Sequence, residues 1–173
     1  DVCSSDLGPL MEIDEMASLK SELMQNRDFE SLEQEAYLNL QRTAASLNGP
    51  FLKLFKQYEL SPSLYNILRI LRGQDGSGLA CSHIGERMVT RDPDVTRLVD
   101  KLLKLGLVHR HRSDHDRRVV LISISEEGRG LLAKLDGPAR ELNNRILGHL
   151  TRDELKDLNR LLVKARQSTM KEE

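Results

Sequence analysis

Apolar residues recur at steps of three and four along much of the chain. Tyr37, Leu40, Ala44, Leu47, Phe51, Leu54 and Tyr58 mark one stripe of an amphipathic helix. Asn48-Gly49-Pro50 interrupts it, and a proline without an N–H predicts a kink there, or two helices meeting near Gly49. Ser61-Pro62 gives an N-cap and a proline at the first helical position. Leu64, Ile67, Leu68 and Leu71 then line one face before Gly73 stops the helix. A Gly- and Asp-rich loop, Gly73 to Gly78, leads to Leu79-Ala80-Cys81-Ser82 and a third helix that packs Ile84 and Met88. Asp92-Pro93 repeats the cap signal, and Val95, Leu98, Val99, Leu102 and Leu105 supply an apolar face that Gly106 closes. Between these two helices lie only Val89 to Arg91, a connection of the length helix-turn-helix units use.

The period then changes. Residues 107–112 and 118–124 are short and β-branched at apolar positions, and Ser113-Asp114-His115-Asp116-Arg117 between them is turn-like, which predicts a hairpin. Ser125-Glu126-Glu127 starts another helix with Leu131, Leu132, Leu135, Leu142 and Ile146, kinked at Pro138 and ended by Gly148. Thr151 and Glu154 form a capping box for a last helix striped by Leu155, Leu158, Leu162 and Ala165. Residues 11–28 are polar and read as a tail or a first helix. Asp1 to Leu7 (DVCSSDL) resembles one reading frame of a sequencing adapter. Residues 1–28 are therefore set aside as an adapter-like artefact and flexible tail, with the native start expected at Met11 or upstream. The fold expected is mainly α with a small β-hairpin wing.

Composition supports the helical reading. Among 173 residues, charged side chains make up 31% and aromatics 3%, with no Trp, which disfavours a β-sandwich or barrel. Basic and acidic residues, 26 and 27, nearly cancel, so any nucleic-acid signal must be local. No run approaches the roughly 20 apolar residues of a membrane span, and no leader pattern is evident. The two cysteines, Cys3 and Cys81, have no metal-like spacing, and a cytoplasmic protein is expected.

The local signal is present. Residues 87–118 hold nine Lys/Arg against five Asp, a net charge of +4. Arg97, Lys101 and Lys104 fall within about 60° of arc opposite Leu98 and Leu102, a face able to enter a major groove. Arg112, Arg117 and Arg118 surround the hairpin tip, where a guanidinium can reach the negative potential of a minor groove. Asp116 is placed to hold Arg118, and His115 at the tip suits phosphate contact. Helix, helix, helix and hairpin in this order make a winged helix-turn-helix over 61–124, with 92–105 as the recognition helix.

The segment DPDVTRLVDKLLKLGLVHRHRSDHDRRVVLISISEEGRGLL resembles the recognition helix and wing of the MarR family of bacterial regulators. The Asp-Arg-Arg wing tip and the following Glu-Glu-Gly carry the likeness, which extends over about 32–167. By that resemblance Asp116 and Arg118 are the wing pair, and Arg91, Asp92, Pro93, Asp94, Thr96 and Arg97 form the base-reading segment. It also implies a homodimer on double-stranded DNA, with 29–58 and 125–168 as dimerisation helices and an inverted-repeat operator. The family default is repression relieved by a small-molecule effector, in the cytoplasm and on the nucleoid when bound. Asn48-Gly49-Pro50 and Ser125, where threonine is common, depart from the pattern.

Other chemistry is weighed against this. His109, His111 and His115 with Asp114 and Asp116 superficially resemble a metal site, but strand alternation opposes convergence, and no metal or cofactor is expected. Cys81 near a helix N-terminus could have a lowered thiol pKa, though a small packing residue is the plainer reading. Tyr37, Phe51, Phe55, Tyr58 and Tyr65 are candidates for an effector pocket, against the alternative of ordinary core. No Gly-rich phosphate loop or supported triad suggests an enzyme. The alternative function is a winged-helix module whose basic face meets an acidic protein.

Overall fold

The computed structural model describes residues 18–74, 77–91, 94–114 and 116–167. The helices that follow Ser18, Ser61, Asp94, Ser125 and Thr151 start at capping side chains. Within the stretch expected as a tail, Ser18 Oγ accepts from the Ser21 N–H and opens a single turn, α1 (Leu19–Glu22). Next comes α2 (Leu32–Lys56), one helix with Pro50 inside it, so the expectation of two helices meeting near Gly49 does not hold. The proline removes one rung of the helical ladder, and the bonds on either side carry the helix through. The chain divides into two compact units, Asp1–Asn48 and Gly49–Glu173, with the boundary inside α2. Within the first unit Arg42 Nε pairs with Glu22 Oε2 at 2.5 Å.

The second unit continues with α3 (Pro62–Arg72), α4 (Cys81–Arg87), α5 (Val95–Lys104), β1 (Val108–Arg112), β2 (Val120–Ile124), α6 (Glu126–Leu147) and α7 (Arg152–Gln167). The cap at Ser61 is as expected, its Oγ accepting from the Leu64 N–H at 3.2 Å. Leu64, Ile67 and Leu68 of α3, Ile84 of α4, Val99 and Leu102 of α5, Ile122 of β2 and Leu132 and Leu135 of α6 are fully buried in one core. Each such side chain contributes about 1.5–3 kcal/mol of transfer free energy, which fixes how the helix-turn-helix sits on α3 and α6. Arg72 reaches Asp136 with two hydrogen bonds, at 2.7 and 3.0 Å, and so clamps α3 to α6.

The hairpin is antiparallel, with Val108 opposite Ile124 and Arg112 opposite Val120. Its turn is wider than expected: Arg118 and Val119 belong to the tip, where Ser113 N–H donates to Val119 O at 2.9 Å. Leu79 adds a single-residue bridge to Ile122, with both backbone bonds at 2.8 Å. At the wing's base Ser125 is buried. Its Oγ caps α6 by accepting from the Gly128 N–H at 3.0 Å and donates to the Gly106 carbonyl at 2.8 Å. Gly106 has φ +70°, the left-handed conformation that ends α5. Gly128 is required by space: a Cβ there would overlap the Leu107 carbonyl and lie 2.8 Å from Ile124 Cγ1. That contact gives the Glu-Glu-Gly motif its physical meaning.

Candidate nucleic-acid interface

Recognition helix α5 starts later than expected. Asp94, not Asp92, is its N-cap, Oδ1 accepting from the Arg97 N–H at 3.0 Å. Two aspartates two residues apart offer the same cap signal, and the helical register selects the second. Asp92 and Pro93 lie outside the described residues, as does His115. Val99 and Leu102 bury the inner face of α5, and Thr96, Arg97, Lys101 and Lys104 stand exposed on the outer one. Arg97, Lys101 and Lys104 make no ion pair among the described residues, so their charge is available to an outside anion. Arg91 is exposed just before the helix.

The turn ahead of α5 is held by a residue that sequence reasoning missed. Asn66 of α3 accepts the Val89 N–H at 2.8 Å, a contact 23 positions away along the chain that no local pattern announces. A second missed pair is Asp100 of α5 with Arg110 of β1, at 2.7 Å, which ties recognition helix to wing.

At the wing tip Arg112, Arg117 and Arg118 are exposed and make no ion pair among the described residues. Asp116 does hold Arg118, but by the backbone: its Oδ1 accepts the Arg118 N–H at 2.9 Å and leaves the guanidinium unengaged. The carboxylate thus shapes the turn that projects the arginine.

The remaining candidates sort differently. Phe55 is buried and stacks on Tyr65 with ring centroids 4.3 Å apart, and Phe51 lies 5.9 Å from Phe55. Tyr58 is half-buried against the same core, and Tyr37 is exposed in the first unit. A groove of about 510 Å³ between α2 and α6 is lined by Pro50, Lys53, Leu54, Gln57, Pro138, Glu141, Leu142 and Arg145, and none of the five aromatics lines it. Burial pushes the half-buried Cys81 thiol up, and the opposed charges of Arg110 and Asp100 act on it more weakly. Desolvation thus disfavours the thiolate, against the expectation of a lowered thiol pKa. His109 and His111 pair with Ser123 and Leu121 along the hairpin. Among the described residues no group of three His, Cys, Asp or Glu is placed to hold a metal, and no helix is long and apolar enough to cross a membrane.

A helix-turn-helix followed by a two-stranded wing, with cations on the recognition helix and at the wing tip that are unpaired among the described residues, defines a winged helix-turn-helix DNA-binding protein. Residues 60–120 match the model of the MarR family. A MarR transcription factor from Planctomyces limnophilus is 43% identical, and its crystal structure aligns over 78% of this chain and 98% of that one with a TM-score of 0.60. The organohalide-sensing regulator RdhR, solved in its 2,4-dichlorophenol-bound form, is 20% identical with a TM-score of 0.73 over 92% of this chain and 90% of its own, a likeness of fold. The transcriptional repressor MprA of Escherichia coli is 25% identical over 114 residues, 64% of this chain and 65% of its own length. The chain spans 58% to 65% of the length of the curated relatives it matches. The protein belongs to the MarR family of transcriptional regulators.

Proposed function

We propose that the chain acts as a homodimeric repressor that reads an inverted-repeat operator and is released by a small-molecule effector. The observation that carries the reading is the state of the cations: three on α5 and three at the wing are exposed and unpaired among the described residues, while Arg110, on β1 between the two groups, is paired. A nearly neutral chain that groups six such cations on one helix face and one hairpin tip of a helix-turn-helix with a wing suits a polyanion with grooves. In this reading Arg91, Asp94, Thr96, Arg97, Lys101 and Lys104 meet the major groove. Arg112, Asp116, Arg117 and Arg118 meet the adjacent minor groove. Asp92, Pro93 and His115, outside the described residues, join these groups by resemblance.

Dimerisation is supported by α7, a helix of 16 residues that buries none of its side chains, with Leu158, Leu161 and Val163 exposed. On α2, Tyr37, Leu40 and Leu52 are exposed as well. Apolar stripes of this kind need a partner, and residues 29–58 and 125–168 are assigned to the subunit interface. A twofold dimer sets half-sites about 10 base pairs apart. The dichlorophenol bound by RdhR supports an effector of similar small apolar character. The protein acts in the cytoplasm, on the nucleoid when bound.

Selection of random duplex DNA by the purified protein, followed by sequencing of the bound pool, tests the reading. An enriched inverted repeat with half-sites about one turn apart is expected. A folded protein that enriches nothing would instead favour an acidic protein partner for the same face.

A further inference from the structure

Asp100 stands out as an acidic group in a basic stripe. It lies about 60° around α5 from Arg97 and shares one surface groove with Asp94, Arg97, Leu98, Lys101 and Lys104. An unpaired carboxylate there would repel a phosphate backbone. It is not unpaired: Arg110 Nη2 of β1 donates to its Oδ1 at 2.7 Å. Arg110 is correspondingly withheld, although Arg112, two residues along the same strand, is free among the described residues. The pair joins the two parts of the interface that enter different grooves. Both side chains are half-exposed, so the bond can be removed without stranding a buried charge.

We propose that Asp100 is a specificity-determining positioning residue, whose ion pair with Arg110 keeps one cation from non-specific phosphate contact and fixes the wing relative to the recognition helix. The inference rests on the DNA-binding reading and concerns how that surface separates its operator from other DNA. Counterion release makes affinity for any sequence rise with each cation that reaches a phosphate. Specificity depends on geometry shared by the base-reading helix and the wing. A paired Arg110 gives up the first to secure the second.

The test is equilibrium binding of the full chain to a mixed-sequence duplex over a salt series, and to the selected operator at one salt. Asp100→Asn frees Arg110 and steepens the salt slope by about 0.9 per subunit, about eightfold in affinity between 1 M and 0.1 M salt. The ratio of operator to mixed-sequence affinity falls. Asp100→Asn with Arg110→Gln returns the slope to the parent value, because the released cation is gone. Arg110→Gln alone weakens binding to every sequence, whereas Arg110→Lys, which keeps a cation opposite Asp100, retains the parent slope and ratio. An unchanged slope in Asp100→Asn, or a double variant that keeps the steeper slope, would overturn the proposal. Should Asp100→Asn melt well below the parent, the contrast of Arg110→Gln with Arg110→Lys reads the same coupling, and equal losses in both would overturn it. A parent protein that binds no duplex would overturn the DNA reading itself, a failure visible before any variant is made.

Discussion

Replacing Ser125 by alanine tests how the wing is fastened. One buried hydroxyl makes two bonds, accepting from the Gly128 N–H at 3.0 Å and donating to the Gly106 carbonyl at 2.8 Å. The first caps α6, and losing an N-cap costs about 1 kcal/mol. The second satisfies a carbonyl at the end of the recognition helix from a side chain that is 1% exposed. Gly106 itself is exposed, so water can take the hydroxyl's place, and losing the bond adds about 0.5–1.5 kcal/mol. The sum, about 1.5–2.5 kcal/mol, lowers Tm by about 3–10 °C for a chain of this size. Urea unfolding at one fixed protein concentration measures it, since the stability of a dimer of the kind proposed depends on concentration, with the m-value expected unchanged. Ser125→Thr keeps the hydroxyl and stays within about 1 kcal/mol of the parent. A loss below about 0.5 kcal/mol in the alanine variant would refute the reasoning, because it would mean that neither bond contributes in solution.

Gly128→Ala forces a Cβ against the Leu107 carbonyl and Ile124, and a loss of at least about 1–3 kcal/mol in urea unfolding is expected. Lys104→Ala should weaken all duplexes alike and reduce the salt slope by about one, whereas Arg118→Ala should weaken binding chiefly where the minor groove is narrow and A·T-rich; titration against both kinds of duplex separates them. The Arg72 guanidinium beside Asp136 holds that carboxyl below its usual range. A depressed carboxyl stabilises the fold above its unfolded pKa, about 3.9, and the contribution disappears as pH falls through the folded value. With both partners a third or more exposed, about 1 kcal/mol at most is at stake. The parent should therefore lose that advantage over Asp136→Asn as pH falls from about 5 towards 3, checked by unfolding at several pH values.

What was legible in the sequence was what local chemistry dictates. Ser61-Pro62, Ser125 and the Thr151–Glu154 capping box all cap helices as read, Thr151 N–H donating to Glu154 Oε2 at 2.7 Å. The Leu stripe of α3 and Val99 and Leu102 of α5 point inward as a 3.6-residue period requires, whereas Leu105, read as the end of the α5 stripe, is exposed just past the helix. Local chemistry was ambiguous where signals repeat, as at Asp92 and Asp94, and where one signal is outweighed, as Pro50 is by 25 residues of helix. Contacts between distant segments were illegible. Leu79 pairs with Ile122 as a one-residue strand too short to have a period. Asn66 reaches Val89, and Asp100 reaches Arg110, through the packing of α3, α5 and the wing rather than through spacing. The candidate DNA-facing cations were read from helical and hairpin geometry. The charge cancelled among them was visible only once the two elements were side by side.

The central claim is that the outer face of α5 meets nucleic acid. Arg97, Lys101 and Lys104 are exposed and unpaired among the described residues, so replacing all three by alanine leaves the core intact. Binding of this triple variant to mixed-sequence duplex, measured beside the parent at low salt with melting temperatures for both, is the most direct test. Binding is expected to be lost while the melting temperature stays near the parent's. A triple variant that is folded and binds DNA as tightly as the parent would contradict it.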